Sequence, residues 1–218
     1  MRRFAIIGLS AFGSYLTRYL SESGLQVMAL DSNESRIEKV KNLAYKSVIV
    51  DARDKTALEN LGIADFDVVV VSLGDQIDAS ILVTLYLKEL GVKEIIAKAT
   101  TEDHGKILDR IGATNVVFPE KDMAFRLARS LANVNVLDAI PLLPGVSILE
   151  FGAPVSFLGK SLKELDITNR FGVQIIVIKE IVPENLVVVP RADHILKDSD
   201  ILIGIGKDED LERLLKVK

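Results

Sequence analysis

The chain has 218 residues, of which 49% are hydrophobic and 27% charged, and a formal net charge of −4. That composition suits one or two globular domains and, without any Lys/Arg run, argues against a nucleic-acid partner. There is no Cys, which removes disulfide and thiol chemistry. The two histidines, His104 and His194, lie too far apart for a zinc-ligand spacing, and each is expected at the surface or at a helix end.

Arg2-Arg3 ahead of an apolar stretch looks like the start of a signal peptide. The stretch is short, broken by glycines and followed by no small-residue cleavage site, so that reading is rejected. No apolar run approaches the ~20 residues needed to span a bilayer, so any membrane role is expected to pass through a partner.

Apolar strand-like runs alternate with helix-period segments. Strands are predicted at Phe4–Gly8, Gln26–Leu30, Ser47–Val50, Val68–Val71, Glu94–Ala99 and Asn115–Phe118. Helices are predicted at Phe12–Ser23, Ser35–Leu43, Thr56–Leu61, Ile77–Leu90 and Thr101–Ile111. In the first helix, Tyr15 with Tyr19 and Leu16 with Leu20 read as the buried stripe, and Gly24 as the stop. The Val68–Val71 run is apolar on both faces, as in a parallel sheet covered by helices. Six βα units predict an α/β, Rossmann-like doubly wound sheet of order 3-2-1-4-5-6.

Beyond the sixth strand, Pro119-Glu120-Lys121-Asp122 opens a further helix. Its apolar side holds Met123, Leu127 and Leu131, either packed on its own sheet or forming a subunit contact. Asn133 to Pro144 reads as a linker. A small α+β unit follows, with strands at Ser147–Phe151, Val173–Lys179, Val187–Val189 and Ile201–Ile205 and short helices at Ser161–Leu165 and Glu209–Leu215. The expected divisions are 1–119, a crossover segment 120–134, and 135–218.

The chemistry concentrates at the first turn. Phe4 to Ile7 runs into Gly8-Leu9-Ser10-Ala11-Phe12-Gly13, and the second strand ends in Asp31. In a dinucleotide fold the helix N–H groups take a pyrophosphate and the acid takes ribose hydroxyls. Gly8 and Gly13 occupy the first and third glycine positions, while Ser10 replaces the second and fits there if its φ is negative. The alternatives are a tight strand–helix turn and a helix-capping Asp31. An acid at that position disfavours a 2′-phosphate and so NADP. Ligands of such sheets sit at the carboxyl ends of the strands, which adds Ser32, Asn33, Asp51, Ala52, Ser72, Leu73, Gly74 and Lys98. Asp51 is either an adenine contact or a loop cap. Lys98 is either a phosphate partner or a solvated sheet-edge lysine. No acid/base group suited to hydride transfer accompanies these residues. Catalysis is thus unsupported by the residues; a small NAD-dependent oxidoreductase is the rival hypothesis and a nucleotide sensor with another partner a third.

These residues resemble the RCK family, the regulatory subunits of Trk/Ktr potassium transporters. Phe4 to Gly13, Asp31, Val48 to Ala52, Ala79-Ser80, Lys88-Glu89-Leu90 and Ile111-Gly112-Ala113 follow its N-terminal pattern. Phe118 to Ala124 resembles its crossover helix. Gly159 to Asp166, Phe171-Gly172-Val173 and Asp200-Ile201-Leu202 resemble its C-terminal domain. The resemblance implies a cytoplasmic homodimer, assembled as a ring that is commonly octameric. The ring is peripheral to the inner face of the membrane and docks on a potassium-transporter subunit without inserting. It also implies an adenine nucleotide (ATP, ADP or AMP) or NAD(H). Glu120 is expected to reach the phosphates held by the dimer mate, with Mg²⁺ or another cation between them. Two positions depart from the pattern: Ser10, and Ala11, where close relatives carry an Arg. The C-terminal segments Asp166-Ile167-Thr168 and Gln174-Ile175-Ile176 likewise depart from the cyclic di-AMP motif of some relatives.

Overall fold

The computed structural model describes residues 2–133 and 135–217. Met1, Val134 and Lys218, which fall at ends of the three expected segments, lie outside the described residues. The chain forms two compact units, Met1–Glu120 and Lys121–Lys218.

The first unit alternates strands and helices as predicted. In chain order these are β1 (Arg3–Ile7), α1 (Ala11–Glu22), β2 (Gln26–Asp31), α2 (Glu34–Val40), β3 (Lys46–Ile49), α3 (Lys55–Asn60), β4 (Val68–Val71), α4 (Ile77–Glu89), β5 (Ile95–Lys98), α5 (Glu102–Ile111) and β6 (Asn115–Val117). All strands are parallel, in the order β3-β2-β1-β4-β5-β6. The order reverses between β1 and β4, where Ile7 pairs with both Leu30 and Val71 and so levels the strand ends. A two-residue period with both faces covered sends Val69 and Val71 into one core layer and Val68 and Val70 into the other. Helix starts follow local chemistry. Asn33, Asp54 and Thr101 cap α2, α3 and α5 by accepting from the N–H of Arg36, Ala57 and His104.

One expectation in this unit needs correction and a second is met only in part. Tyr15 and Tyr19 are exposed and stack on each other with ring centroids 6.2 Å apart. Leu16 and Leu20 pack half-buried against the core as predicted, while the positions pressed closest to the sheet are Gly13 and Thr17, because a helix that follows a tight turn comes too close there for a large side chain. His104 is not at the surface: it is helix-terminal as expected, but buried in the first turn of α5.

A helix α6 (Pro119–Ala132) spans the boundary between the units. The second unit then has β7 (Val136–Leu143), β8 (Val146–Gly152), α7 (Leu162–Leu165), α8 (Ile167–Phe171), β9 (Gln174–Glu180), β10 (Asn185–Val188), β11 (Ile201–Lys207) and α9 (Asp208–Leu215). Its sheet is antiparallel, in the order β10-β9-β11-β8-β7, over a core of Phe151, Phe157, Leu165, Val173, Ile178, Leu202 and Leu211. The predicted linker is therefore mostly strand. β7 lies on the edge of this sheet, where Pro141 withholds no needed ladder donor. Met123, Leu127 and Leu131 on α6 are all exposed. No helix among the described residues is long and apolar enough to cross a membrane.

Candidate nucleotide site

The turn after β1 is shaped by two glycines. Gly8 has φ +91°, and a Cβ there would lie 2.4 Å from the Ser72 carbonyl oxygen. A Cβ on Gly13 would lie 2.1 Å from the Gly8 carbonyl oxygen. The turn thus folds only with bare backbone at both positions. Ser10 adopts φ −57°, so the serine at the second fingerprint position is unstrained. Its hydroxyl does not cap α1 but lies 2.7 Å from the Ser72 hydroxyl. The first turn of α1 therefore keeps N–H groups without a side-chain cap and without an acidic side chain, an arrangement that favours an anion.

Asp31 is 6% exposed and is fixed by backbone donors. Leu9 N–H donates to one carboxylate oxygen at 2.7 Å and Asn33 N–H to the other at 2.8 Å. A carboxylate has about four acceptor sites; two take these N–H groups and the Arg36 guanidinium stands at 3.5 Å, a long contact that leaves room for hydroxyl donors. The acid is oriented by the loop without being saturated by it. Asp31 does not cap α2, a role Asn33 fills; it braces the turn after β1 and faces a cavity.

That cavity, of about 160 Å³, lies at the carboxyl ends of β1, β2 and β3. It gathers seven of the predicted residues: Gly8, Asp31, Ser32, Asn33, Asp51, Ala52 and Leu73. Asp51 is forked by the Arg53 guanidinium at 2.7–3.2 Å, and this pairing, with the Arg53 N–H, holds its carboxyl below the usual range. Ser10 and Ala11 open instead onto a neighbouring groove between α1 and α2. Phe12 is half-buried against the core, Gly13 and Ser72 support the turn from beneath, and Gly74 turns the chain after β4 with φ +66°.

Lys98 and Glu120 do not line the cavity. Lys98 is 8% exposed at the end of β5, and its ammonium is hydrogen-bonded to the Glu120 carboxylate. Partial burial alone would raise the Glu120 carboxyl, but the Lys98 ammonium outweighs it and leaves the group below its ordinary value. The solvated sheet-edge alternative for Lys98 is therefore wrong: the side chain is buried and paired with Glu120. Among the described residues no three His, Asp or Glu side chains gather to hold a metal ion. Within one chain Glu120 faces an ammonium, whereas the expected cation would lie between Glu120 and phosphates held by a dimer mate.

Arg36, Arg53, Gln76 and Ala79 also line the cavity and were not anticipated. Each stands in a βα connection or at a helix start, a few residues beyond the strand ends where the sequence reading stopped.

Comparison with known proteins fits this architecture. The TrkA-N domain model matches residues 4–119 and the TrkA-C domain model residues 146–218. The Ktr system potassium uptake protein C of Bacillus subtilis (strain 168) is 41% identical over 215 residues, which is 99% of this chain and 96% of that protein. The GsuK channel bound to NAD superposes with a TM-score of 0.68 at 22% identity over 99% of this chain, which spans only 39% of that channel chain. The Shewanella denitrificans Kef CTD in AMP bound form has a TM-score of 0.50 at 25% identity, over 60% of this chain and 82% of that one.

Proposed function

The chain belongs to the family of Ktr and Trk potassium uptake proteins built from a TrkA-N and a TrkA-C domain, and we propose that it is the nucleotide-binding regulatory subunit of a membrane potassium transporter. The observation that carries the ligand is the cavity at the β1/β2/β3 strand ends, where Asp31 meets the uncapped start of α1. An adenine nucleotide or NAD(H) would place its ribose hydroxyls on the free acceptor sites of Asp31 and its phosphates over Gly8 to Gly13. Asp51 and Ala52 would border the base. AMP in the Kef domain supports an adenine ligand for this fold.

Regulation follows from differential binding. A ligand biases a two-state assembly only by its difference in affinity for the two states. The exposed Met123/Leu127/Leu131 stripe on the 120–134 crossover segment is the proposed dimer contact, and dimers would build the ring that docks on the pore-forming subunit. Glu120 opens that same helix. Its pairing with Lys98 is the proposed ligand-free arrangement, which phosphates from a dimer mate would compete for. The protein acts on the pore and carries out no reaction of its own in this reading, peripheral to the cytoplasmic face of the membrane.

The test is co-expression with a Ktr-type pore subunit in cells lacking their own potassium uptake. Growth at limiting potassium should require both chains, and Asp31→Ala should reduce it. Equal growth with and without this chain would refute the regulatory role.

A further inference from the structure

His104 does not line the nucleotide cavity; it sits in the first turn of α5 and is 2% exposed. Its neighbours commit the ring to one protonation state. The Thr100 N–H donates to Nδ1 at 3.3 Å, so Nδ1 is a lone pair and the ring proton sits on Nε2. The Thr100 hydroxyl lies 3.4 Å from the same nitrogen. Nε2 is buried and meets no hydrogen-bond partner among the described residues. A second proton would have to go on Nδ1. There it would face the Thr100 N–H, donor against donor, and leave a buried charge without a partner.

The backbone around this ring joins several elements. Thr101 caps α5 by accepting from the His104 N–H at 3.1 Å. The Ala99 N–H, one residue before Thr100, donates to the Val117 carbonyl at 2.9 Å and ties β5 to β6. The Phe118 ring presses on Gly105, where a Cβ would lie 2.4 Å from it. Phe118 leads directly into Pro119 and Glu120, the start of α6, and Glu120 meets Lys98 from the end of β5.

We propose that His104 is a proton switch on this joint: uptake of one proton at Nδ1 breaks the Thr100–His104 link, opens the first turn of α5 and loosens the start of α6. The inference goes beyond the nucleotide reading and does not depend on it. Burial alone lowers the imidazole below its ordinary value, and no charged group is among the causes. On α5 the positions one turn away are Thr100, Thr101, Ile107 and Leu108, none of them charged, while Glu102 and Asp103 precede the ring in the same turn. Of the elements packed beside α5, β6 carries no charge and α4 carries Asp78, Lys88 and Glu89 near its ends. Lys98 at the end of β5 is paired with Glu120. The sign follows from the neutral ring: an opened turn exposes the imidazole and takes up the proton that the closed turn resists, so opening is favoured as pH falls below about 6.5.

Amide hydrogen exchange of the full chain without ligand, between about pH 7.5 and 5.5, tests this. Protection of residues 99–105, corrected for the intrinsic pH dependence of exchange, should fall about tenfold per pH unit below about pH 6.5, because opening takes up one proton. At about pH 5.5 these amides should exchange at least roughly tenfold faster than those of β1 and β4, because the joint opens without unfolding the sheet. In His104→Gln, which has no proton to take up, the pH dependence at 99–105 should vanish. A wild-type measurement covers the case in which that variant does not fold. With ¹⁵N-labelled histidine, and His194→Gln leaving a single ring, His104 should carry its proton on Nε2 at about pH 7.5. Protection at 99–105 that does not fall with pH, that falls equally in His104→Gln, or that matches the sheet at every pH would overturn the switch. A ring protonated on Nδ1 at neutral pH would overturn it as well.

Discussion

Gly13→Ala tests the turn geometry because two effects oppose each other. Gly13 lies inside α1, and in an unconstrained helix interior alanine is favoured over glycine by about 1 kcal/mol. Here the added Cβ would sit 2.1 Å from the Gly8 carbonyl oxygen and 3.3 Å from the Ser72 Cβ. The nearer clash is with backbone, in the turn just after β1, where the Gly8 N–H is held to the Leu30 carbonyl at 2.8 Å, so no side chain can swing away. Overpacking a well-filled site typically costs 1–3 kcal/mol, and a backbone obstacle belongs at or above the top of that range, about 3 kcal/mol. The net loss is therefore about 2 kcal/mol or more, equivalent to a melting-point drop of roughly 4–8 °C for a chain of this size. Scanning calorimetry of wild type and variant measures it, with the transition of the first unit read separately if the two units melt apart. A variant that melts at or above the wild-type temperature would show that helix propensity wins, and the tight α1–β1 approach would be wrong.

Three further outcomes are expected. Asp31→Asn puts an amide where the Leu9 or Asn33 N–H needs an acceptor; thermal-shift measurements should show the variant destabilised by about 1.5–3 kcal/mol, and it should lose most of the ~2.7 kcal/mol that a hundredfold ligand excess gives wild type. Leu127→Lys should convert a wild-type dimer to monomer in light scattering, because a lysine buried at the α6 contact would be unpaired, and a wild type already monomeric at micromolar concentration would sink the contact. Burial holds the His104 imidazole below its ordinary value of 6.5. The unfolded chain thus gains a proton that the folded chain resists, and the stability present above about pH 6.5 is lost as pH falls below it. Urea unfolding between about pH 7.5 and 5.5 should show a shallower decline in His104→Gln than in wild type.

The first unit was legible because its signals are local. Val68–Val71 can only be a strand covered on both faces, and Gly8, Gly13 and Asp31 carry their spacing in sequence. Boundaries moved by a few residues at most, as where Ser35–Leu43 became Glu34–Val40. Half of the α1 stripe, Leu16 and Leu20, packs on the core as expected; Tyr15 and Tyr19 misled because a hydrophobicity pattern places tyrosines inward, whereas close approach of helix to sheet demands Gly13 and Thr17 there. The Val136–Leu143 strand was hidden by prolines and a bounding glycine, which an edge strand tolerates. Arg36 and Arg53 were missed because the cavity is assembled across crossovers: no spacing in the chain says that the starts of two different βα connections face one ligand.

The central claim is that nucleotide binding here sets the activity of a separate pore. The direct measurement is potassium flux into liposomes holding a Ktr-type pore subunit, with this protein added together with ATP, ADP, NAD or no ligand. Flux should depend on the protein and should differ between ligands, by a factor of roughly 5–150 if the coupling has the usual allosteric size of 1–3 kcal/mol. Asp31→Ala should abolish the differences among ligands. Identical flux with and without the protein under every ligand would contradict the account.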